Sequence, residues 1–344
     1  MPSTITTLHT YDTEYSADSV EWCPHSPHRH LFVCGTYQLD KDETNNSGSS
    51  QTTRKGRILL FSYNIESNSL TLKQTIETSA ILDQKWHQRK PLLAVVNANS
   101  EVILYNLSSE DQLIQTDVLK IPIQDEGEQL ALSLDWTTRG DRALVSDSKG
   151  GISVIGVDDH GMHQQNRWKA HNFEAWTCAF DKSNDNIVYT GGDDAVLCIY
   201  DIRCLETPIV QNKSHDAGIT SLLAFQHVEH LLATGSYDDN VRIFDTRFMK
   251  SPASQINLGG GIWRMKSNYY YPDQILCACM YHNFSIINIK KDYSIVLDSE
   301  YNEHNSICYG CDWSYDPNEC ESKLFASCSF YDHKLCLAVL NTQK

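Results

Sequence analysis

The chain lacks an excess of basic residues and any long apolar run. It has 28 lysines and arginines against 44 aspartates and glutamates, a formal net charge of −16. This balance argues against a nucleic-acid backbone as the main partner and favours a basic or cationic one. No stretch approaches the roughly 18 apolar residues that a spanning helix requires. The opening residues lack the basic and apolar segments of a signal peptide, so we expect none.

Several catalytic signatures are also missing. There is no G-x-S-x-G elbow, which excludes an α/β-hydrolase site, and no phosphate loop or dinucleotide fingerprint. We therefore expect no cofactor. Cys308 and Cys311 have C-x2-C spacing, but a zinc site needs two further ligands, so we expect no metal. Without a leader, the twelve cysteines are expected to be free thiols in a reducing, cytoplasmic compartment.

Two segments of the chain are near copies of each other. TGGDDAVLCIYDIR begins at Thr190 and TGSYDDNVRIFDTR begins at Thr234, 44 residues later. Alternating apolar residues inside each copy indicate strands. A period in the forties with strand patterning predicts a β-propeller.

Extending the repeat gives seven units, so we predict an all-β, seven-bladed propeller as one domain over residues 1–344. An N-terminal strand from Thr4 to Tyr11 is expected to complete the last blade, because closing the ring removes open sheet edges. The predicted inner strands are SVEWCP from Ser19, ILDQKWH from Ile81, LALSLDW from Leu130, AWTCAF from Ala175, ITSLLAF from Ile219, GIWRMKS from Gly261 and CYGCDWS from Cys308.

Residues 40–56 form a polar insertion in the first blade. Its composition predicts a disordered surface loop; a docking or phosphorylated loop is the alternative.

The repeats resemble WD repeats. The usual Gly-His pair is reduced to His171, His215 and His304, and the Trp-Asp close is replaced by Tyr200-Asp201 and Phe244-Asp245. The resemblance implies that these histidines bond a hydroxyl and an aspartate of their own blade, which is the expected role of His171 and His215. For His304 both a structural and a catalytic role stay open.

A narrower resemblance lies in the last two blades. Four segments between Leu258 and Leu335 are similar to segments of the diphthine methylesterase family: LGGGIWRMK, CMYHNF, EHNSICYGCDW and ASCSFYDHKL. That resemblance implies a carboxyl methylesterase that demethylates methylated diphthine on a histidine of translation elongation factor 2, in diphthamide biosynthesis. It also implies contact with other enzymes of that pathway. The alternative is a non-catalytic scaffold or adaptor, which is the usual role of WD propellers.

A propeller brings inner-strand entries and the turns of neighbouring blades together at one channel mouth, and here those places are rich in aromatic residues. Diphthine carries a trimethylammonium group, and aromatic faces bind such cations. Arg264 is expected to bind the carboxylate region, and the Gly260 and Gly261 amides to form an oxyanion hole. The predicted substrate-binding residues are Trp176, Tyr237, Trp263, Arg264, Tyr281, Tyr309, Tyr331, Gly260 and Gly261.

Ester hydrolysis also needs a base and a nucleophile. We predict His304 or His282 as the base, with Asp332 orienting a histidine as in a triad. Ser306, two residues after His304, could face the same way. Three alternatives stay open for the nucleophile: water, Ser306, or a cysteine at Cys308 or Cys311.

Overall fold

The computed structural model describes residues 3–41, 52–123, 126–226, 228, 230–316 and 322–341. These residues form 29 β-strands in seven antiparallel sheets. The innermost strands are β2 (Ala17–Trp22), β7 (Ile81–Trp86), β11 (Ala131–Trp136), β15 (Thr177–Phe180), β19 (Ile219–Ala224), β23 (Ile262–Ser267) and β27 (Cys308–Trp313). The second strands are β3 (Leu31–Thr36), β8 (Leu92–Asn97), β12 (Arg142–Asp147), β16 (Ile187–Gly191), β20 (Leu231–Ser236), β24 (Gln274–Cys279) and β28 (Ser322–Ser329).

Two further strands complete each sheet. The third strands are β5 (Thr52–Asn64), β9 (Glu101–Leu107), β13 (Gly151–Asp158), β17 (Leu197–Asp201), β21 (Asn240–Asp245), β25 (Asn283–Ile289) and β29 (Lys334–Asn341). The outer strands are β6 (Ser69–Ser79), β10 (Leu113–Lys120), β14 (Gly161–Lys169), β18 (Val210–Asn212), β22 (Ser254–Asn257), β26 (Ile295–Tyr301) and, in the last blade, β1 (Thr4–Asp12).

The seven sheets close into a ring around a channel. Each inner strand contacts the inner strand of the next blade, and β27 contacts β2. The N-terminal strand β1 pairs with β29 over its length, from Thr4 opposite Asn341 to Asp12 opposite Lys334. The predicted seven-bladed propeller and its closing N-terminal strand are therefore confirmed.

The hydrophobic core lies between neighbouring blades. One cluster joins Ile286 and Phe284 of the sixth blade to Trp313 and Phe325 of the seventh. Inner-strand tryptophans also tie three blades to the preceding one: Trp86 Nε1 donates to Glu21 O, Trp136 Nε1 to Lys85 O, and Trp313 Nε1 to Lys266 O at 3.0 Å. A rigid ring results, and it fixes the loops at both ends of the channel.

The first-blade insertion differs from the prediction at its ends. β4 (Gln38–Lys41) pairs with the start of β5, with Gln38 opposite Lys55. The sequence analysis missed this hairpin because the segment lacks the apolar alternation of a strand. The hairpin is held by backbone pairing and by the ion pair of Lys55 with Asp40 at 2.7 Å. Residues 42–51, the rest of the predicted disordered loop, lie outside the described residues.

Candidate active site at the upper channel mouth

Inner-strand entries and second-to-third-strand turns meet on one face, which we call the upper mouth. The same backbone bond joins them in three consecutive blades. Asp193 N donates to Glu174 O, Tyr237 N donates to Gly218 O, and Met280 N donates to Gly261 O, each at 2.9 Å. The expected convergence of these segments is therefore present.

A recurring β-bulge determines which side chains reach the channel there. Six of the seven inner strands shift register between their first and third residues, which leaves the second residue unpaired. A bulge re-aims its side chain, and none of these second residues joins an interblade hydrophobic cluster. The bulged residues are Asp18, Leu82, Leu132, Thr220, Trp263 and Tyr309; Trp176 holds the corresponding place just before β15.

Five aromatic side chains form a continuous series across the upper mouth, which we call the aromatic chain: Trp176, Tyr237, Trp263, Tyr309 and Phe330. Trp263 lies at its centre, with ring centroids 5.7 Å from Trp176, 6.1 Å from Tyr237 and 4.7 Å from Tyr309. Trp263 and Tyr309 are stacked at 21°. Phe330 extends the series 5.2 Å beyond Tyr309. Four of the five were predicted as substrate-binding residues.

The other predicted tyrosines lie at the rim of the aromatic chain. Tyr331 packs edge-on against Phe330 at 5.0 Å and is 70% exposed. Tyr281 is 81% exposed and lies near Tyr237 and Tyr309. Phe330 and Tyr37, whose rings lie 5.9 Å apart, were missed. The adjacency of Phe330 to Tyr331 in the same turn was the available signal.

His304 occupies the structural histidine position of its repeat, and both of its ring nitrogens have hydrogen-bond partners. Nε2 is hydrogen-bonded to Ser327 Oγ at 2.9 Å and Nδ1 to Ser329 Oγ at 2.6 Å. Burial lowers the pKa of His304 to about 3. Two hydrogen bonds to hydroxyls and burial favour the structural role, and His304 as the base stays a prediction. His171 is held in the same way by Thr190 Oγ1 and Asp194.

Asp332 and Ser306 belong to the same structural unit. Asp332 accepts hydrogen bonds from Ser329 Oγ and from the Asn305 amide. Ser306 Oγ accepts the Tyr331 amide at 2.9 Å. Asp332 thus reaches His304 only through a serine, and Ser306 supports the turn that presents Tyr331. The expected triad geometry is not formed.

His282 lies beside the outer strand of its blade. Its Nε2 is 3.5 Å from Glu300 on β26, and its side chain packs against Gly260, where an added Cβ would come within 2.8 Å of His282 Cβ. Among the described residues, no hydrogen-bond acceptor pairs with the amides of Gly260 or Gly261. The oxyanion hole at Gly260 and Gly261 and His282 as the base both stay predictions.

Arg264 is partly buried and forms an ion pair across the channel. Its guanidinium lies 3.1 Å from Asp83 Oδ1 of the second blade, and it donates to Leu82 O at 3.4 Å. The channel thus already supplies a partner for Arg264, and its binding of a substrate carboxylate stays a prediction. The result is an ion pair that links the sixth blade to the second.

Asp18 is an acidic residue of the upper mouth that the sequence reasoning missed. It occupies the bulge position of the first blade, as Trp263 and Tyr309 do in theirs, and is 5% exposed. Burial raises the pKa of Asp18 to about 8; Arg264 opposes this increase and Asp83 adds to it. Its place in the inner-strand entry, aligned with the predicted aromatic residues, was the signal that could have found it.

The described cysteines are free thiols, and most of them are buried. All eleven described cysteines are free. Cys308 and Cys311 are buried, and burial raises the pKa of both thiols. Within the described parts of the chain, no group of three or more His, Cys, Asp or Glu side chains could hold a metal ion. Those same parts contain no helix that is long and apolar enough to cross a membrane.

Comparison with known proteins agrees with this architecture. The family model "WD domain, G-beta repeat" matches residues 162–201 and 206–245. A chain in a crystal structure of the mitotic checkpoint complex superposes with a TM-score of 0.73, covering 98% of this chain and 92% of that one at 16% identity. That likeness shows the fold alone.

Two curated relatives are much closer in sequence. The diphthine methyltransferase of Mus musculus is 37% identical over 91% of this chain and 70% of its own length. The diphthine methyltransferase homolog of Dictyostelium discoideum is 34% identical over 95% of this chain and 96% of its own length. The chain belongs to the diphthine methyltransferase family. The family resemblance that the last two blades indicated is thereby confirmed.

Proposed function

We propose that this protein is a carboxyl methylesterase that converts methylated diphthine on translation elongation factor 2 to diphthine. Family membership supports diphthine as the substrate moiety. The relatives' name describes methyl transfer; in the proposed reaction water is the acceptor and the methyl group leaves as methanol. The observation that carries the proposal is the aromatic chain at the upper mouth.

Cation recognition accounts for the composition of that chain. The trimethylammonium group of diphthine cannot donate hydrogen bonds, so its attraction comes from aromatic faces and from negative charge. Each ring contributes roughly 0.5–2 kcal/mol, and more when the contact excludes water. Trp263 joins the rings of three blades, and Trp176 Nε1 donates to Asp193 at 3.0 Å, so a carboxylate lies at the edge of the same surface.

The ester chemistry is assigned to the same mouth. A water molecule attacks the ester carbonyl, and the developing oxyanion is stabilised by the free amides of Gly260 and Gly261. A Cβ at Gly261 would lie 3.4 Å from Tyr237 Cα, so these amides adjoin the aromatic chain. Water is favoured as the nucleophile because Ser306 Oγ accepts a hydrogen bond from the Tyr331 amide, and because Cys308 and Cys311 are buried.

Purified protein incubated with methylated elongation factor 2 tests this proposal. Mass spectrometry of the modified peptide should show loss of one methylene mass. Trp263→Ala should raise KM roughly tenfold, because a desolvated cation–π contact contributes about 1–2 kcal/mol. Phe248→Ala, which removes a ring that is 72% exposed and outside the aromatic chain, is the matched control. An unchanged peptide mass with the wild-type protein would favour the scaffold alternative.

A further inference from the structure

Asp18 lies directly beside the aromatic chain. Its strand β2 abuts β27 so closely that a Cβ on Gly310 would come within 2.7 Å of Ser19 Cα. In the ring of bulge positions, Asp18 of the first blade therefore follows Tyr309 of the seventh. The charge of Asp18 acts on the Tyr309 phenol. A carboxyl group thus stands next to the surface that is proposed to hold the substrate cation.

Other channel carboxylates are used to hold the ring together, and Asp18 is not. Asp83 accepts the Leu134 amide at 3.0 Å, Asp135 accepts the Phe180 amide at 2.8 Å, and Asp312 accepts the Trp22 amide at 2.8 Å. Each of these bonds links an inner strand to the next one. Asp18 Oδ1 is buried, yet no described residue offers it a hydrogen bond.

A donor on the other side of Tyr309 is also unsatisfied. Trp263 Nε1 is buried without a hydrogen-bond partner among the described residues. Buried polar atoms are normally paired, and an unpaired one calls for an explanation. An unsatisfied acceptor and an unsatisfied donor flanking Tyr309 indicate a polar ligand or a water in this part of the mouth.

We propose that Asp18 is the general base of the ester hydrolysis. This inference rests on the proposed function and names a catalytic residue for it. A neutral structural acid would be expected to have a hydrogen-bond partner, as the three other channel aspartates do, whereas a base must keep an oxygen available for the reacting water.

The step balances without any further reactant. Asp18 carboxylate takes a proton from water while the water oxygen bonds to the ester carbonyl carbon, giving a tetrahedral oxyanion. When the carbonyl re-forms, the bond from carbon to the methoxy oxygen breaks. Protonated Asp18 then gives its proton to the departing methoxide, which leaves as methanol. The new carboxylic acid releases a proton to solvent, and Asp18 is regenerated as the carboxylate.

The surroundings of Asp18 predict the pH dependence. The titratable groups that face it are Arg264 from β23, Asp83 from β7, Tyr309 from β27, and the Cys34 and Cys328 thiols from β3 and β28. Burial outweighs the attraction of Arg264 and holds the pKa of Asp18 near 8. The base form is therefore a minority species at neutral pH, and kcat/KM should rise as pH increases through about 8.

Steady-state hydrolysis of methylated elongation factor 2 by wild type, Asp18→Asn and Asp216→Asn tests the proposal. Asp18→Asn should lower kcat about 100-fold or more and abolish the rise of kcat/KM with pH. Asp216→Asn removes a carboxylate that is 90% exposed and should leave kcat unchanged. Formate added to Asp18→Ala should restore part of the rate, which loss of a structural contact would not allow.

The outcomes separate the two proposals. If wild-type protein does not demethylate the substrate, the proposed function fails and Asp18 as its base fails with it. If wild type is active but Asp18→Asn matches it, or if wild-type kcat/KM is flat across pH 8, only the role of Asp18 is overturned. Thermal unfolding detects any loss of the fold, and Asp18→Asn should not cause one.

The pKa of Asp18 is higher in the folded protein than in the unfolded chain. Ionisation of Asp18 therefore favours unfolding as pH rises.

Discussion

Three histidines occupy the same position in their repeats and make the same kind of hydrogen bond: His304, His171 and His215. Each bonds a hydroxyl on the second strand of its own blade: Ser327, Thr190 and Thr234 respectively. Burial lowers the pKa of His215 to about 4 and that of His304 to about 3. Both rings are therefore neutral at physiological pH, and their contribution is to fix the turn above them.

His304→Ala should destabilise the protein by about 2–4 kcal/mol, because it leaves the hydroxyls of Ser327 and Ser329 buried without their partner. The midpoint of urea denaturation measures this loss. His163→Ala, at a half-exposed histidine, is the control and should leave the midpoint unchanged. Unaltered stability combined with abolished turnover would contradict the structural role and return His304 to catalysis.

The pH dependence of stability follows from the same burial. The unfolded chain protonates His304 near its ordinary pKa, whereas the folded protein resists protonation until about pH 3. The contribution of His304 to stability is therefore present above the unfolded pKa and is lost as pH falls through this window.

At the scale of elements, the entry of β27 positions the site. Gly310 follows Tyr309 and allows β27 to approach β2, since an added Cβ would meet Cys328 Sγ and Ser19 Cα at 2.7 Å. The bulge at Tyr309 and the bulge at Asp18 thus face the channel side by side. No other residue type fits this approach without moving a strand.

Gly310→Ala should cost about 1–3 kcal/mol, since overpacking forces strands apart, and it should lower kcat by separating Asp18 from Tyr309. Thermal unfolding and the demethylation assay together measure both effects. A variant that is destabilised but fully active would show that the spacing of β2 and β27 matters to the fold alone.

Sequence patterns predicted the elements well and the chemistry less well. The seven inner strands and the closing strand β1 could be predicted from the alternation of apolar residues and from the repeat period, because strand pairing follows both. Trp263 and Tyr309 were found because the repeat aligns them at one mouth. Asp18 was missed because burial without a partner, and not residue type, makes it unusual. The ion pair of Arg264 was missed because its partner Asp83 lies four blades earlier in the chain.

At the scale of the whole molecule, ring closure and the proposed site lie at the same blade. Strands β1 and β29 pair in the seventh blade, and Thr7 Oγ1 of β1 lies 2.8 Å from Tyr301 Oη of the sixth. The seventh blade also provides Tyr309, Phe330 and Tyr331. A net charge of −16 favours the approach of a cationic ligand, which agrees with the proposed binding of the substrate cation by these rings.

Demethylation in heavy-oxygen water (H₂¹⁸O) tests the central claim most directly. Hydrolysis at the ester carbonyl places one solvent oxygen in the product carboxylate, whereas transfer of the methyl group to another acceptor leaves both original oxygens in place. Peptide mass spectrometry of elongation factor 2 should therefore show loss of the methyl group together with incorporation of one heavy oxygen. Loss of the methyl group without the label, or no loss at all, would contradict the account.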